Sequence, residues 1–235
     1  MMKISSGTEI FDIDGSRAPL FRDRREAGRL LAAKLTDYAG RKDVIVLALP
    51  RGGVPVAFEI ATALRAPLDV LTVRKLGVPG HDEYAMGAIG SGGIEMVNHD
   101  VVEALKIPSS VIAAIAAREK RELTRRELAY RDHRTYPHVA GNVVIVVDDG
   151  IATGASMLVA VRALRAKHPA KIVVAVPVGY EGSCALLRRD ADEIICYASL
   201  EPFSGVGASY ENFAQVGDDE IRALLARSDT FRSAS

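Results

Sequence analysis

Two cysteines in 235 residues, a net charge of zero and no long apolar run exclude several functions at the outset. Cys184 and Cys196 stand twelve apart with no histidine at metal-binding spacing. Neither a zinc site nor a disulfide framework is therefore expected, and both thiols are read as reduced and buried. Thirty basic residues balance thirty acidic ones, so no global positive field is available to hold a nucleic-acid backbone or an anionic membrane. No segment reaches the roughly 18 continuous apolar residues of a membrane span, and the opening stretch MMKISSGTEIFDIDGSR lacks a signal-peptide apolar core. The expectation is a cytoplasmic protein with no membrane and no nucleic-acid partner. Also missing are the Gly-Lys-Ser/Thr ending of a Walker loop and a GxGxxG turn with an acidic residue about twenty positions on. A nucleoside triphosphatase and a standard dinucleotide binder both lose ground.

What is present is enough apolar residue, 49% of the chain, for one full core. After a polar leader at 1–20, Asp23 with Glu26 marks a helix start and Gly40 a stop, with Ala27, Leu30, Leu31, Leu35 and Tyr38 facing inward. VIVLAL at 44–49 is too short for a helix and reads as a buried strand. Val56, Ile60 and Leu64 then mark a helix face, and LDVLTV at 68–73 is a second strand. Residues 74–93 hold six glycines and a proline, and the stretch reads as a long mobile lid. IEMVN follows as a short strand, and Ser109 opens a helix to about residue 132. Strands at 143–147, KIVVAVPV and EIICY alternate with helices carrying Met157, Leu158, Val161 and Leu164 and with GSCALLRRD. The expected fold class is α/β: a mainly parallel central sheet with helices on both faces, spanning 21–200, plus a small irregular hood at 201–235.

Ligands of such sheets sit beyond the carboxyl ends of the strands. That places PRGG, RKLGVPGHDEY and DDGIATGAS at one mouth. In VVIVVDDGIATGAS, small residues let backbone N–H groups approach an anion at the start of a helix, and Thr153 and Ser156 add hydroxyl donors. Asp148 and Asp149 follow a strand, where adjacent side chains point to opposite faces. They suit two tasks on one ligand, accepting bonds from vicinal hydroxyls and favouring a developing cation. A sugar phosphate answers both demands.

This stretch resembles the phosphoribosyl diphosphate (PRPP) motif of type I phosphoribosyltransferases, and LPRGGVP resembles that family's pyrophosphate loop. The segments PRGGVPVA, RKLGVPGHDEYAMGAI and YENFAQ are similar to a bacterial group of predicted phosphoribosyltransferases. The resemblance implies transfer of ribose 5-phosphate from PRPP to a nitrogenous base, Mg²⁺ as cofactor and, as is common in the family, a homodimer. Asp148 and Asp149 would contact the ribose hydroxyls and the metal, mostly through water. Ile151, Ala152, Thr153, Gly154, Ala155 and Ser156 would hold the 5′-phosphate. Arg51, Gly52 and Gly53 would meet the pyrophosphate, with a cis or strained peptide in that loop. Lys75 would reach the pyrophosphate from the lid, and Glu83 or His81 would handle the base. Family members acting on 6-oxopurines carry a third acidic residue where this chain has Ala152, so such an acceptor is disfavoured.

Rival readings stay open. One is a PRPP-binding regulator without turnover, and another is a hydrolase using the two aspartates. For REKRELTRRELAYRDHR at 118–134, pairs such as Glu122 with Arg126 and Glu127 with Arg131 suggest a solvated helix face, with an RNA or partner surface as the rival. Phe203, Tyr210 and Phe213 either stack on the base or pack the hood onto the sheet.

Overall fold

The computed structural model of the chain describes residues 18–131 and 136–232, without the side chains of 81–84 and 229–232. Five parallel strands form the central sheet: β1 (Val44–Ala48), β2 (Leu68–Val70), β6 (Val143–Val147), β7 (Lys171–Tyr180) and β8 (Glu193–Leu200). Their order is β2-β1-β6-β7-β8, so the chain leaves β1 toward one edge and later returns on its other side as β6. Such a reversal opens a crevice beyond the carboxyl ends of β1 and β6. The loops PRGG and DDGIATG sit there.

Strand alternation divides the core. Val44, Val46, Ile145 and Val173 face one way, against α1 (Arg24–Ala32), α2 (Gly53–Leu64) and α7 (Asp218–Arg232). Ile45, Leu47, Val144, Val146 and Val174 face the other, against α5 (Ala155–Arg165) and α6 (Glu181–Leu187). With both faces covered, β1 and β6 are buried at every position, which explains their unbroken apolar runs.

Several sequence expectations need correction. Helix α1 stops at Ala32, followed by a 3₁₀ turn at Thr36–Tyr38, and Leu30 points outward, 38% exposed. Its start is as expected, because the Asp23 side chain accepts from the Glu26 N–H. The segment read as a long lid loop is an antiparallel sheet of β3 (Val73–Val78), β4 (His81–Gly90) and β5 (Ile94–Val97). Its glycines serve the sheet: a side chain at Gly87 would meet the Met96 carbonyl at 2.4 Å, and Gly80, Gly92 and Gly93 take positive φ at turns. Leu76, Val78, Met86 and Ile89 pack this sheet onto Leu123 of α4 (Ser109–Arg131), with the short α3 (His99–Ala104) alongside. The end of the chain, read as irregular, holds α7, whose Ile221, Leu224 and Leu225 are buried. Cys184 is buried and Cys196 half-buried, both as free thiols. Among the described residues no helix is long and apolar enough to cross a membrane.

Candidate active site

Beyond β1 and β6 lies a cavity of about 590 Å³ lined by Pro50, Thr72, Arg74, Lys75, Arg118, Glu119, Arg126, Asp148 and Ser156, among others. It brings together Asp148 and Ser156 of the DDGIATGAS loop with Lys75 of RKLGVPGHDEY, three of the residues expected at the site, from two separate segments. Lys75 comes from β3 of the antiparallel sheet, opposite Ala88. The side chains of Glu83 and His81 lie outside the described residues.

The PRGG loop presses directly on the aspartates. A side chain at Gly52 would fall 1.9 Å from Asp149 Oδ2, and one at Gly53 would fall 2.6 Å from the Val147 carbonyl, so both positions need glycine. The Pro50–Arg51 peptide is cis, as the resemblance implied for this loop. The Arg51 side chain leaves the main cavity for a neighbouring one, with Nε 3.1 Å from Asp218 Oδ1 and 3.4 Å from the Tyr130 hydroxyl.

The two aspartates part company. Asp148 lines the cavity, and its Oδ1 accepts from the Asp149 N–H at 2.8 Å. Desolvation, reinforced by the adjacent Asp149 carboxylate, pushes the Asp148 carboxyl well above its ordinary range. Asp149 turns away: its Oδ2 accepts from Arg24 Nε at 2.7 Å, with the two side chains only 14% and 11% exposed. The Arg24 guanidinium also donates to the Ala214 carbonyl and lies 3.9 Å from the centre of the Phe213 ring. The Tyr210 hydroxyl donates to the Asp149 carbonyl at 2.6 Å, and Phe213 stacks on Tyr210. Tyr210 and Phe213 thus pack the hood, while Phe203 sits near Tyr180 at 6.5 Å.

In the loop after β6, Ile151 is buried and bonded to β7 through the Val178 carbonyl and the Tyr180 N–H. Ser183 Oγ donates to the Ala152 carbonyl. This anchoring leaves Ala152, Thr153 and Ser156 exposed at the start of α5, and Gly154 takes φ +74°, where a side chain would be strained. The first N–H groups of α5 lack intrahelical acceptors, and among the described residues only the long 3.4 Å bond from the Ala155 N–H to Thr153 Oγ1 occupies one of them. An anion fits this open helix start.

Sequence reasoning missed Arg24, Thr72, Arg74 and Glu119, and that α4 borders the cavity through Arg118, Glu119 and Arg126. Glu119 is buried; desolvation pulls its carboxyl up, but bonds from Arg74 and Arg118 outweigh this and hold it low. The expected Glu122–Arg126 pair is present at 2.9 Å. Arg131 is no surface residue: it binds Asp69 of β2 through two bonds of 2.9 and 2.8 Å in a buried pair and only brushes Glu127 at 4.0 Å. Helical periodicity groups positions 118, 122, 125 and 126 on one side, read in the sequence as solvated; Arg118 and Arg125 are indeed 64% and 70% exposed, and Arg118 and Arg126 border the cavity as well.

Residues 23–210 match the family model of the phosphoribosyl transferase domain. The chain belongs to this family. It is 47% identical over 208 residues to Rv0571c of Mycobacterium tuberculosis H37Rv, a protein provisionally named a phosphoribosyl transferase. That match covers 88% of this chain, which spans about half, 47%, of the relative's length. The crystal structure of TT1426 from Thermus thermophilus superposes with a TM-score of 0.80 at 40% identity, covering 88% of this chain and 98% of that one. The type I phosphoribosyltransferase resemblance and its α/β fold are thereby borne out.

Proposed function

We propose that this phosphoribosyl transferase domain transfers the ribose 5-phosphate of PRPP to a nitrogenous base, with release of pyrophosphate. The observation that carries this reading is the single cavity holding an open helix start, a cavity-facing Asp148 and Lys75. These suit, in order, the 5′-phosphate, the ribose hydroxyls and the diphosphate. In the reaction the C1–O bond to diphosphate breaks with its electron pair leaving on oxygen, a base nitrogen bonds to C1, and the nitrogen's proton passes to solvent or a nearby base. Asp148 favours the cationic character developing on the ribose, and Lys75 favours charge on the leaving diphosphate. Asp149, tied to Arg24, acts by holding the loop.

Among the described residues no three carboxylate, histidine or cysteine groups converge on one point. Asp148 alone faces the cavity as a carboxylate of the motif, which fits a Mg²⁺ ion held mainly by ligand oxygens and water. When bound, the ion would neutralise charge on the diphosphate. Ala152 brings no carboxylate near the base position, in keeping with an acceptor other than a 6-oxopurine. We further propose a cytoplasmic location, a homodimer, and the segment 74–93, within the antiparallel sheet, as the cover of the site.

Thermal melting with Mg²⁺ and PRPP tests the reading. Millimolar PRPP is expected to raise the melting temperature by several degrees, and no shift at all would sink the proposal. Pyrophosphate release with one member of a base panel separates an enzyme from a PRPP-binding regulator without turnover; release without any base would mark a hydrolase.

A further inference from the structure

Beside the main cavity lies a second one of about 290 Å³, lined by Arg51, Arg125, Arg126, Tyr130, Gln215 and Asp218, among others. The two cavities share Pro50 and Arg126, so the second opens next to the pyrophosphate loop. Its charges are unevenly paired. Arg125 makes bonds of 2.8 and 2.9 Å to Glu122, and Arg126 bonds the same carboxylate at 2.9 Å, so two guanidinium groups share one anion. Among the described residues Asp218 is the only carboxylate in the lining, and its Oδ1 is a buried atom without a well-formed hydrogen bond, despite standing 3.1 Å from Arg51 Nε. Arg51 is thus loosely held and 42% exposed. Across the shared wall the pattern repeats, with Arg74 and Arg118 sharing Glu119 and Lys75 in no ion pair among the described residues. Positive charge in excess of its partners therefore runs from Lys75 past Arg126 to Arg125 and Arg51.

We propose that Arg125 and Arg126 of α4, with Arg51, form a second anion pocket that receives the diphosphate once it has separated from the ribose. The idea rests on the donor-site reading above and assigns a task to a helix face that looks, in sequence, like ordinary solvated surface. Pyrophosphate suits the pocket because several forked guanidinium groups match its clustered oxygens. A neutral or cationic ligand would leave the shared arginines uncompensated. No bond is made or broken in this step.

Calorimetric titration of the full chain with magnesium pyrophosphate and, separately, with ribose 5-phosphate tests the pocket. An Arg125→Gln/Arg126→Gln variant is expected to bind pyrophosphate at least about tenfold more weakly, the loss of one charge-assisted contact or more. Its affinity for ribose 5-phosphate should stay within about twofold, because that ligand reads the α5 end of the main cavity. The Arg125→Lys/Arg126→Lys variant should recover part of the loss, since it keeps charge without the fork. Both arginines are partly exposed on α4, so unchanged melting temperatures will confirm that the fold is intact. Pyrophosphate affinity unchanged in the Gln variant, or no pyrophosphate binding to the wild type, overturns the pocket. Ribose 5-phosphate that fails to bind wild type, alongside pyrophosphate that binds and responds to the arginines, counts against the donor-site reading and supports the pocket.

Discussion

The two flanks of the loop after β6 begin one residue apart and differ in almost every physical respect. On one flank, Asp148 meets an open cavity with Ser156 and Lys75, and its charge is poorly compensated. On the other, Asp149 is closed in by Arg24, Gly52 and Tyr210, with Phe213 over the Arg24 guanidinium, residues far apart in the chain. One flank is left costly to ionise and ready for a ligand; the other is satisfied and holds the fold. Two adjacent acidic letters therefore carry different work, and they part just beyond the end of β6, where the backbone bends at Asp149.

The largest effect that can break this division is expected from Gly52→Ala. A methyl group 1.9 Å from Asp149 Oδ2 forces that carboxylate off Arg24 as well as crowding the loop. Overpacking together with loss of a nearly buried ion pair should cost about 4 kcal/mol, read as a large fall in the urea midpoint. A variant as stable as wild type would show that the contact between PRGG and the aspartates is slack. Next in size is Arg24→Gln, which leaves Asp149 without its cation and removes the guanidinium from Phe213. The expected destabilisation is about 3 kcal/mol, with PRPP affinity of the folded protein within about threefold of wild type. A large loss of affinity at unchanged stability would reverse the assignment and put Asp149 on the ligand side.

The sequence displayed the sheet core clearly and the sealed flank hardly at all. Unbroken apolar runs such as 143–147 follow from burial on both faces, so local composition reports them. The loop from 151 to 156 was legible because small residues before a helix have few other uses. Arg24 and Asp149 are 125 positions apart, and nothing in the letters near either one names its partner. The antiparallel sheet at 73–97 was hidden for a different reason: its glycines serve close strand contacts and turns, but composition alone equates glycine with a loop. The row at 118, 122, 125 and 126 had the right spacing, yet i,i+4 ion pairs occur equally on solvated faces and cavity walls.

Asp148→Asn, the smallest of the three in free energy, sharpens the comparison most. The amide keeps an oxygen for the Asp149 N–H, so the local backbone is preserved. A carboxyl held above its ordinary 3.8 by desolvation and by Asp149 binds its proton more tightly in the folded chain than in the unfolded one. Fold stability therefore falls as pH rises from that value through the raised folded one, and the loss is complete above it. Asparagine removes this dependence. The ligand-free variant should melt no lower than wild type at pH 8, and any gap in its favour should close as pH falls from the raised value toward 3.8. Its PRPP affinity, by contrast, should drop about ten- to hundredfold, the size of a lost charged hydrogen bond to the ribose or its bound water. Greater stability with weaker binding is the signature of a residue kept for its ligand. Should Asp148→Asn instead destabilise the fold as much as Arg24→Gln does, both flanks would be structural, and the ribose contact would have to lie elsewhere.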